Sequence, residues 1–497
     1  MSQGNVQTLR DGDQIIKTRD DIHPIVLTPA EPEEGNSSQG ASQGQDSQET
    51  VNQEVRFKIK EPQKANASWA KSDGQIGPEK LRERIEPWLT ALCQSEHLSL
   101  LVGSGLTHAV HTLATGRPGP GMCPLNLKTL KVLVDRDVTA VALKAGRGEG
   151  NFEDQVRVIN ELIRGLEILT RLKNVCSEQL ILVKKQPSGE AEELLDVESV
   201  LNELTKELSE ALQSFANSIL KAENNLTAAN NANRERALNY LVSFLLTFAT
   251  RAGTRDRLNL FTTNYDRFIE LGADVAGLRL LDRFIGTIAP LFRASRLDVD
   301  LHYNPPGIRG EPRYLEGVVR FTKLHGSLDW VYCEGEIRRI GLPFGAEDIE
   351  PFLKAPGLEG ISPLQLIIYP NSAKDMETLF YPYSELFRDF AAAICRPNST
   401  LVSYGYSFGD EHINRIVADM LTIPSAHLVI ISYSDPLGRI MQFYEKLGRP
   451  AQMTLLLGNH LGDLKSLVDH YLPKPAIDRS MIRMAELIRA RLGEATS

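Results

Sequence analysis

The chain has 497 residues and a hydrophobic content of 42%, which is enough for a sizeable core and for two or three domains. Its formal net charge of −9 argues against a general nucleic-acid-binding surface, because such a surface needs clustered lysine and arginine to displace counterions. We therefore expect no direct nucleic-acid binding. No run approaches the ~20 apolar residues that span a bilayer, so we also expect no membrane association. The first residues lack the apolar core of a signal peptide, which favours a cytoplasmic protein.

The cysteines indicate free thiols. They are far apart and form no CxxC pair, whereas a structural zinc site normally needs four cysteine or histidine ligands at short spacing. We therefore expect no metal. The five cysteines are Cys93, Cys123, Cys176, Cys333 and Cys395.

Residues 1–75 differ from the rest of the chain. The stretch 35–54 is rich in serine, glutamine and glycine and has almost no apolar residues, so it cannot bury enough surface to offset its conformational entropy. We expect residues 1–75 to be largely disordered. The apolar cluster within 22–32 is the exception, and it could dock on a partner, dock on the body of the protein, or remain in a disordered tail.

The folded body begins near residue 77 with helical periodicity over 78–95. A strand follows at 99–102, and charged amphipathic stretches then dominate 151–251, which predicts an inserted helical domain. The alternative is that these helices simply cover the sheet. From residue 259 onward, short apolar runs alternate with helical patterns, as is typical of parallel strands joined by helical crossovers.

The predicted fold is therefore α/β, a Rossmann-like parallel sheet with helices on both faces and an inserted helical subdomain. We assign 1–75 to the disordered segment, 76–150 and 252–470 to the nucleotide-binding domain, and 151–251 to the helical insertion. A C-terminal helix is predicted within 471–497, where it could cap the body or mediate assembly.

Four predicted strands end in small or polar residues. Because ligands of open α/β sheets bind at the carboxyl ends of strands, these four ends predict one nucleotide-sized crevice. The candidate residues are Gly103, Ser104 and Gly105 at the first end, Thr262, Asn264 and Asp266 at the second, His325 at the third, and Gly405, Ser407, Gly409 and Asp410 at the fourth.

Each of these signals also has a purely structural interpretation. A Gly-x-Gly turn can bring the backbone and a helix N-terminus to a diphosphate, or it can serve only as a tight connection. Asn264 and Asp266 could hold a ribose hydroxyl or a water, or cap a helix. His325 could be a general base or a structural histidine. Asp410 and the following Glu411 could only complement a helix dipole.

The four segments VGSGLT, FTTNYD, KLHGS and YGYSFGD, in this order over 102–410, resemble the sirtuin (silent information regulator two) superfamily. Within this superfamily, the chain is more similar to the bacterial sirtuin-like branch found in anti-phage defence than to the protein deacylases. It resembles in particular the sirtuin-like subunit that pairs with a HerA-type ATPase. The resemblance implies NAD as the substrate. Residues 103–105 match the family's phosphate loop, Thr262, Asn264 and Asp266 its asparagine–aspartate strand end, His325 its catalytic histidine, and Gly405, Ser407 and Gly409 its ribose-contacting loop.

The resemblance implies hydrolysis of NAD to nicotinamide and ADP-ribose, because the four-cysteine zinc module of the protein deacylases is missing and Leu106-Thr107-His108 departs from their phosphate loop. Asn264 would position water or ribose, His325 would be the general base, and Asp266 would support them. An NAD-dependent deacylase and a non-enzymatic module that binds NAD or ADP-ribose remain alternatives. We expect a homo-oligomer with a separate activating subunit, a HerA-type ATPase or a short Argonaute.

Overall fold

The computed structural model describes residues 12–18, 20–30, 55–60, 69, 75–121, 124–144, 150–172, 182–185, 192–251, 255–293, 300–303, 313–354, 358, 366–368 and 382–474. Within these ranges, no helix combines the length and the apolar content that crossing a bilayer requires. The helices are α1 (Pro78–Cys93), α2 (Ser104–Thr115), α3 (Lys131–Lys144), α4 (Phe152–Leu172), α5 (Val197–Ala228), α6 (Asn231–Ala249), α7 (Phe268–Val275), α8 (Tyr383–Ile394), α9 (Glu411–Met420) and α10 (Arg439–Leu447), with short helical turns at Glu350–Lys354, Pro436–Gly438, Pro450–Gln452, Leu464–Ser466 and Leu467–Tyr471.

The strands are short, and most of the longer ones carry the apolar runs that predicted them. They are β1 (Gln14–Lys17), β2 (Ile25–Pro29), β3 (Phe57–Ile59), β4 (His97–Val102), β5 (Leu182–Lys185), β6 (Glu192–Leu195), β7 (Leu258–Thr262), β8 (Arg279–Leu281), β9 (Phe284–Ile285), β10 (Leu291–Phe292), β11 (His302–Tyr303), β12 (Arg313–Tyr314), β13 (Val318–Lys323), β14 (Gly326–Cys333), β15 (Glu336–Arg339), β16 (Leu366–Ile368), β17 (Ser399–Tyr404), β18 (His427–Ser432) and β19 (Met453–Leu457).

A ten-stranded sheet forms the centre of the molecule, in the order β3-β2-β1-β19-β18-β17-β4-β7-β13-β8. The strands from β19 to β8 are all parallel, and β1, β2 and β3 extend one edge in antiparallel fashion. Parallel strands need crossover connections, and helices supply most of them. The predicted α/β, Rossmann-like fold class is confirmed.

The N-terminal strands correct one expectation. β1 pairs with β19, and β2, which lies in the apolar cluster of 22–32, docks on the body through β1. Burial explains this order, because Ile16 and Leu27 are fully buried against the sheet. The expectation of disorder was therefore wrong for these strands and for β3. The Ser/Gln-rich stretch 35–54 lies outside the described residues.

Apolar side chains that alternate along the strands build one core on each face of the sheet. In β4, Leu98, Leu100 and Val102 join the core beneath α1, α2, α6 and α7, whereas Leu101 joins the core beneath α8, α9 and α10. This alternation follows from the two-residue period of a strand. The predicted helices on both faces are confirmed.

A third core lies beside the sheet. It joins buried residues of α3, α4 and α5 to residues of a smaller five-stranded sheet in the order β16-β14-β15-β10-β9. α6 belongs instead to the core of the main sheet. Among the helices of 151–251, α4 and α5 therefore fit the predicted helical insertion, whereas α6 covers the main sheet. The domain boundaries stay a prediction. Residues 475–497, which hold most of the predicted C-terminal helix, lie outside the described residues.

The register of the central strands aligns the predicted strand ends. Val102 pairs with both Tyr404 and Thr262, and Thr262 pairs with Lys323. β4 is the switch point of the topology, because the chain continues to β7 on one side and returns to β17 on the other. Crevices at such switch points bind ligands in open α/β sheets.

Candidate functional site

A cavity of about 1030 Å³ opens at the carboxyl ends of β4, β7, β13 and β17. Eight of the eleven residues predicted for the site lie in its wall, although they come from four separate segments of the chain. These eight are Gly103, Ser104, Asn264, Asp266, His325, Ser407, Gly409 and Asp410. Gly105, Thr262 and Gly405, which the structure also describes, do not line it.

Gly105 and Gly405 hold two loops together. A Cβ atom on Gly105 would lie 2.5 Å from the Cα of Gly405, and the Gly105 amide donates to the Gly405 carbonyl oxygen at 3.0 Å. Gly405 has a φ of +62°, which favours glycine. The Gly-x-Gly pattern thus marks a close backbone contact between the loops that follow β4 and β17.

Asn264, Thr107 and Asp266 form the amide wall of the cavity. The Asn264 side-chain nitrogen donates to the Gly103 carbonyl oxygen and to the Thr107 hydroxyl, both at 3.0 Å. The Thr107 hydroxyl in turn donates to Asp266 Oδ2 at 2.6 Å. Because both amide hydrogens are used, Asn264 can offer its carbonyl oxygen Oδ1 to a hydroxyl donor in the cavity.

Residues beneath the amide wall fix its backbone. Thr262 donates its hydroxyl hydrogen to the Val102 carbonyl oxygen at 2.9 Å and accepts the Asn264 amide at 3.0 Å. Asp266 Oδ1 accepts the Phe268 amide at the start of α7, and the buried Lys323 ammonium donates to the Asp266 carbonyl oxygen. Thr262 is thus a support beneath the site, and Asp266 caps α7 and orients the amide wall at the same time.

A buried ion pair connects the segment after β7 to helix α5. Glu223 of α5 is fully buried and accepts from the Arg267 backbone amide at 2.9 Å and from its guanidinium at 2.5 Å. Burial raises the pKa of the Glu223 carboxyl, although the Arg267 guanidinium opposes the shift. The ion pair thus links α5 directly to Arg267, the residue that follows Asp266.

His325, Asp410 and His412 form the histidine wall, opposite in character to the amide wall. His325 lies between β13 and β14, and the two other residues start α9. His325 Nε2 lies 3.9 Å from Asp410 Oδ2, and the two imidazole rings lie 5.8 Å apart between centroids. Both histidines are buried, with 4% and 9% exposure. Asp410 is the N-cap residue of α9, yet its side chain makes no capping hydrogen bond.

Side chains of α5 and α2 form another side of the cavity. Phe215, Ser218 and Ile219 of α5 line it, as does His108 of α2. Burial, assisted by the nearby His111, lowers the pKa of His108, so this imidazole is neutral at neutral pH. This side of the cavity therefore combines apolar side chains with a neutral imidazole.

Cationic side chains line the end of the cavity near α9 and α10. They are Arg415, Arg439 and Lys446, and the Arg439 guanidinium lies beside Gly409 and Ser407. Acidic residues, including Glu153 and Glu411, lie in the same wall. The cations complement an anionic group such as a diphosphate.

Sequence reasoning missed several of these residues. Thr107 and His412 each lie beside another polar residue near the start of a helix, so no local signal distinguishes them. Arg439 is the first residue of α10 and does not directly follow β18, so the rule that pointed to the other strand ends does not reach it. His325 was predicted at a strand end, and it lies two residues beyond β13, directly before β14.

An open parallel sheet with a polar cavity at its switch point is the architecture of Rossmann-like nucleotide-binding proteins. A family model for the SIR2-like domain matches residues 258–448. The matched region contains Asn264 and the whole histidine wall, whereas Gly103 and Thr107 precede it. The match shows that this region is similar to SIR2-like domains, a family that is generally enzymatic and NAD-dependent. No curated protein matches the chain.

Proposed function

We propose that this protein hydrolyses NAD at the nicotinamide–ribose bond and releases nicotinamide and ADP-ribose. The observation that carries the proposal is that the Asn264 carboxamide, oriented by Thr107 and Asp266, shares one cavity with the His325 imidazole. A glycosidic cleavage of this kind needs an oriented sugar, an activated water and an acceptor for one proton.

The amide wall would orient the reacting ribose or the water. The departing nicotinamide ring is cationic in NAD and leaves as a neutral molecule, so it needs no general acid. The C1′–N bond breaks and the ring nitrogen keeps the electron pair, which leaves an oxocarbenium-like sugar. Asn264 Oδ1 would accept a hydrogen bond from a ribose hydroxyl or from the attacking water and so fix its position.

The histidine wall would accept the proton. Water adds its oxygen to C1′ and passes one proton to His325, because imidazole is the side chain best suited to a general base near neutral pH. Such a base contributes about 10²–10⁴ in rate. The proton then leaves to solvent, and ADP-ribose carries the new hydroxyl group.

The remaining walls suit the rest of the dinucleotide. Arg415, Arg439 and Lys446 would meet the negative charge of the diphosphate, together with the N-terminus of α2 at Ser104. The rigid Gly105–Gly405 contact would keep the two loops at a fixed separation. Ser407 and Gly409 would contact the adenine-side ribose.

We further propose that the protein is the toxic effector of a bacterial anti-phage defence, acting by NAD depletion as a homo-oligomer with a separate subunit. The resemblance of the four strand-end segments to the defence branch of the sirtuins supports this, and it implies a HerA-type ATPase or a short Argonaute as the partner. A constantly active NAD hydrolase would harm its own cell, so we expect the partner to control it.

The test is product analysis with the purified full chain and its partner. The wild-type protein should convert NAD to nicotinamide and ADP-ribose, whereas Asn264→Ala and His325→Ala should each lower the rate by about 10²–10⁴. The matched control is His427→Gln, a buried histidine that bonds Thr454 and does not line the cavity. Wild-type rates in both site variants would refute the assigned site.

The same products separate the rival functions. A deacylase would yield O-acetyl-ADP-ribose only when an acetyl-lysine peptide is present. A binding module would show saturable NAD binding without turnover, even with the partner added. Either result would overturn the proposed hydrolysis.

A further inference from the structure

We propose that the histidine wall, formed by His325, Asp410 and His412, binds one divalent transition-metal ion such as Zn²⁺, and that the bound ion inhibits the enzyme. One possible ligand atom from each of the three side chains lies within 4.8 Å of the other two. Among the described residues, this is the one cluster of histidine, cysteine and acidic side chains with such spacing.

The donor set fits a transition metal. Two imidazole nitrogens and one carboxylate oxygen are ligands that zinc and its neighbours prefer, whereas calcium and magnesium prefer oxygen alone. Three protein ligands leave a further coordination position, and here it would face the cavity. This arrangement resembles open metal sites and differs from closed structural sites, which have four protein ligands.

The geometry needs only a small closure. Ligands 2.0–2.1 Å from a tetrahedral ion lie roughly 3.3 Å apart, so the widest separation must shrink by up to about 1.5 Å. Rotation of the Asp410 side chain can supply part of this, because its Oδ2 already lies 3.9 Å from His325 Nε2. Burial of both imidazoles shields the site from competing water.

Inhibition follows from the electron pair that the metal would occupy. An imidazole nitrogen bound to a metal has no electron pair left to take a proton from water. If His325 is the general base, zinc and hydrolysis exclude each other. This second half of the inference rests on the proposed function, whereas the binding of the ion does not.

The full chain is first treated with a chelator and then titrated with ZnCl₂, and calorimetry measures the binding. We expect one zinc per chain that is lost or weakened by about 100-fold or more in Asp410→Asn and in His412→Gln, since removal of even an outer-shell partner costs 10–100-fold. The matched controls are Glu411→Gln and His108→Gln, which also line the cavity but lie outside the cluster. These controls should keep wild-type zinc binding.

Equal zinc binding in the wild type, Asp410→Asn and His412→Gln would overturn the metal site, because adventitious binding at cysteines is unaffected by these changes. NAD turnover then tests the second half. Zinc should inhibit the wild type, and the zinc concentration needed should rise in His412→Gln in proportion to its weaker binding. Zinc bound at the wall without any effect on turnover would refute inhibition, and bound zinc with no NAD turnover in any sample would refute the proposed function and leave the metal site standing.

Discussion

The two walls of the cavity are held in different ways. In the amide wall, hydrogen bonds of 2.6–3.0 Å connect Asn264, Thr107 and Asp266 into one chain. In the histidine wall, His325 Nε2 lies 3.9 Å from Asp410 Oδ2, which is too long for a hydrogen bond. The first wall fixes the direction of one amide, whereas the second brings two imidazoles and one carboxylate within 4.8 Å of one another.

This difference matches two chemical tasks. A group that orients a sugar gains from having a single rotamer, because misplacement of about 1 Å can cost 10²-fold in rate. A group that exchanges protons or ligands must instead alternate between two states. Two kinds of variant will sharpen the comparison between the walls. The first kind loosens the amide wall, and the second separates the effect of pH on the stability of the fold from its effect on the histidine wall.

The largest expected effect concerns the ion pair beneath the amide wall. Arg267→Ala leaves the fully buried Glu223 without its cation, and loss of one partner of a buried pair costs about 3–5 kcal/mol of unfolding free energy. The measurement is urea unfolding followed by circular dichroism. Arg164→Ala, in the exposed pair with Glu167, is the control and should change stability by less than about 0.5 kcal/mol. Equal losses in both variants would contradict the assigned role.

The next effect concerns the orientation of Asn264. Thr107→Val keeps the shape of the side chain but removes the hydroxyl that links Asn264 to Asp266. We expect kcat for NAD cleavage to fall by about 10²-fold, because the amide can then rotate. Thr107→Ser, which restores the hydroxyl, should recover most of the rate. If Val and Ser behave alike, the hydroxyl does not orient the amide.

The smallest effect lies far from both walls. Burial and the neighbouring His470 lower the pKa of His460 to about 4, and its Nε2 lies 2.8 Å from the Tyr471 hydroxyl. The unfolded state, with a pKa of about 6.5, binds the proton first, so stability present above pH 6.5 falls as the pH drops toward 4. The unfolding free energy should decrease by about 2 kcal/mol between pH 7 and pH 5.

His460→Gln should remove that part of the pH dependence, as measured by urea unfolding at the two pH values. The exposed His23→Gln serves as the control and should retain the full decrease. A wild-type decrease in His460→Gln would assign the acid sensitivity to other groups, with the histidine wall the next to test.

The sequence predicted the main sheet and the row of strand ends well, since both depend on local patterns. The apolar runs of β4, β7, β13 and β17 mark strands, and the carboxyl ends of neighbouring parallel strands meet at one edge. The small second sheet was missed, because β9 and β10 have only two residues each and β14 begins directly after the short turn at Leu324 and His325. β1 and β2 were missed because their surroundings are compositionally biased.

The sequence by itself determined that glycine, asparagine, histidine and aspartate stand at the ends of buried strands, because the period of apolar residues fixes where each strand stops. Only the tertiary structure decided which atoms meet. Thr107 reaches Asn264, and His412 joins His325, through strand register and the rotation of α2 and α9. Those contacts depend on how whole elements pack against one another, and no short stretch of residues contains that information.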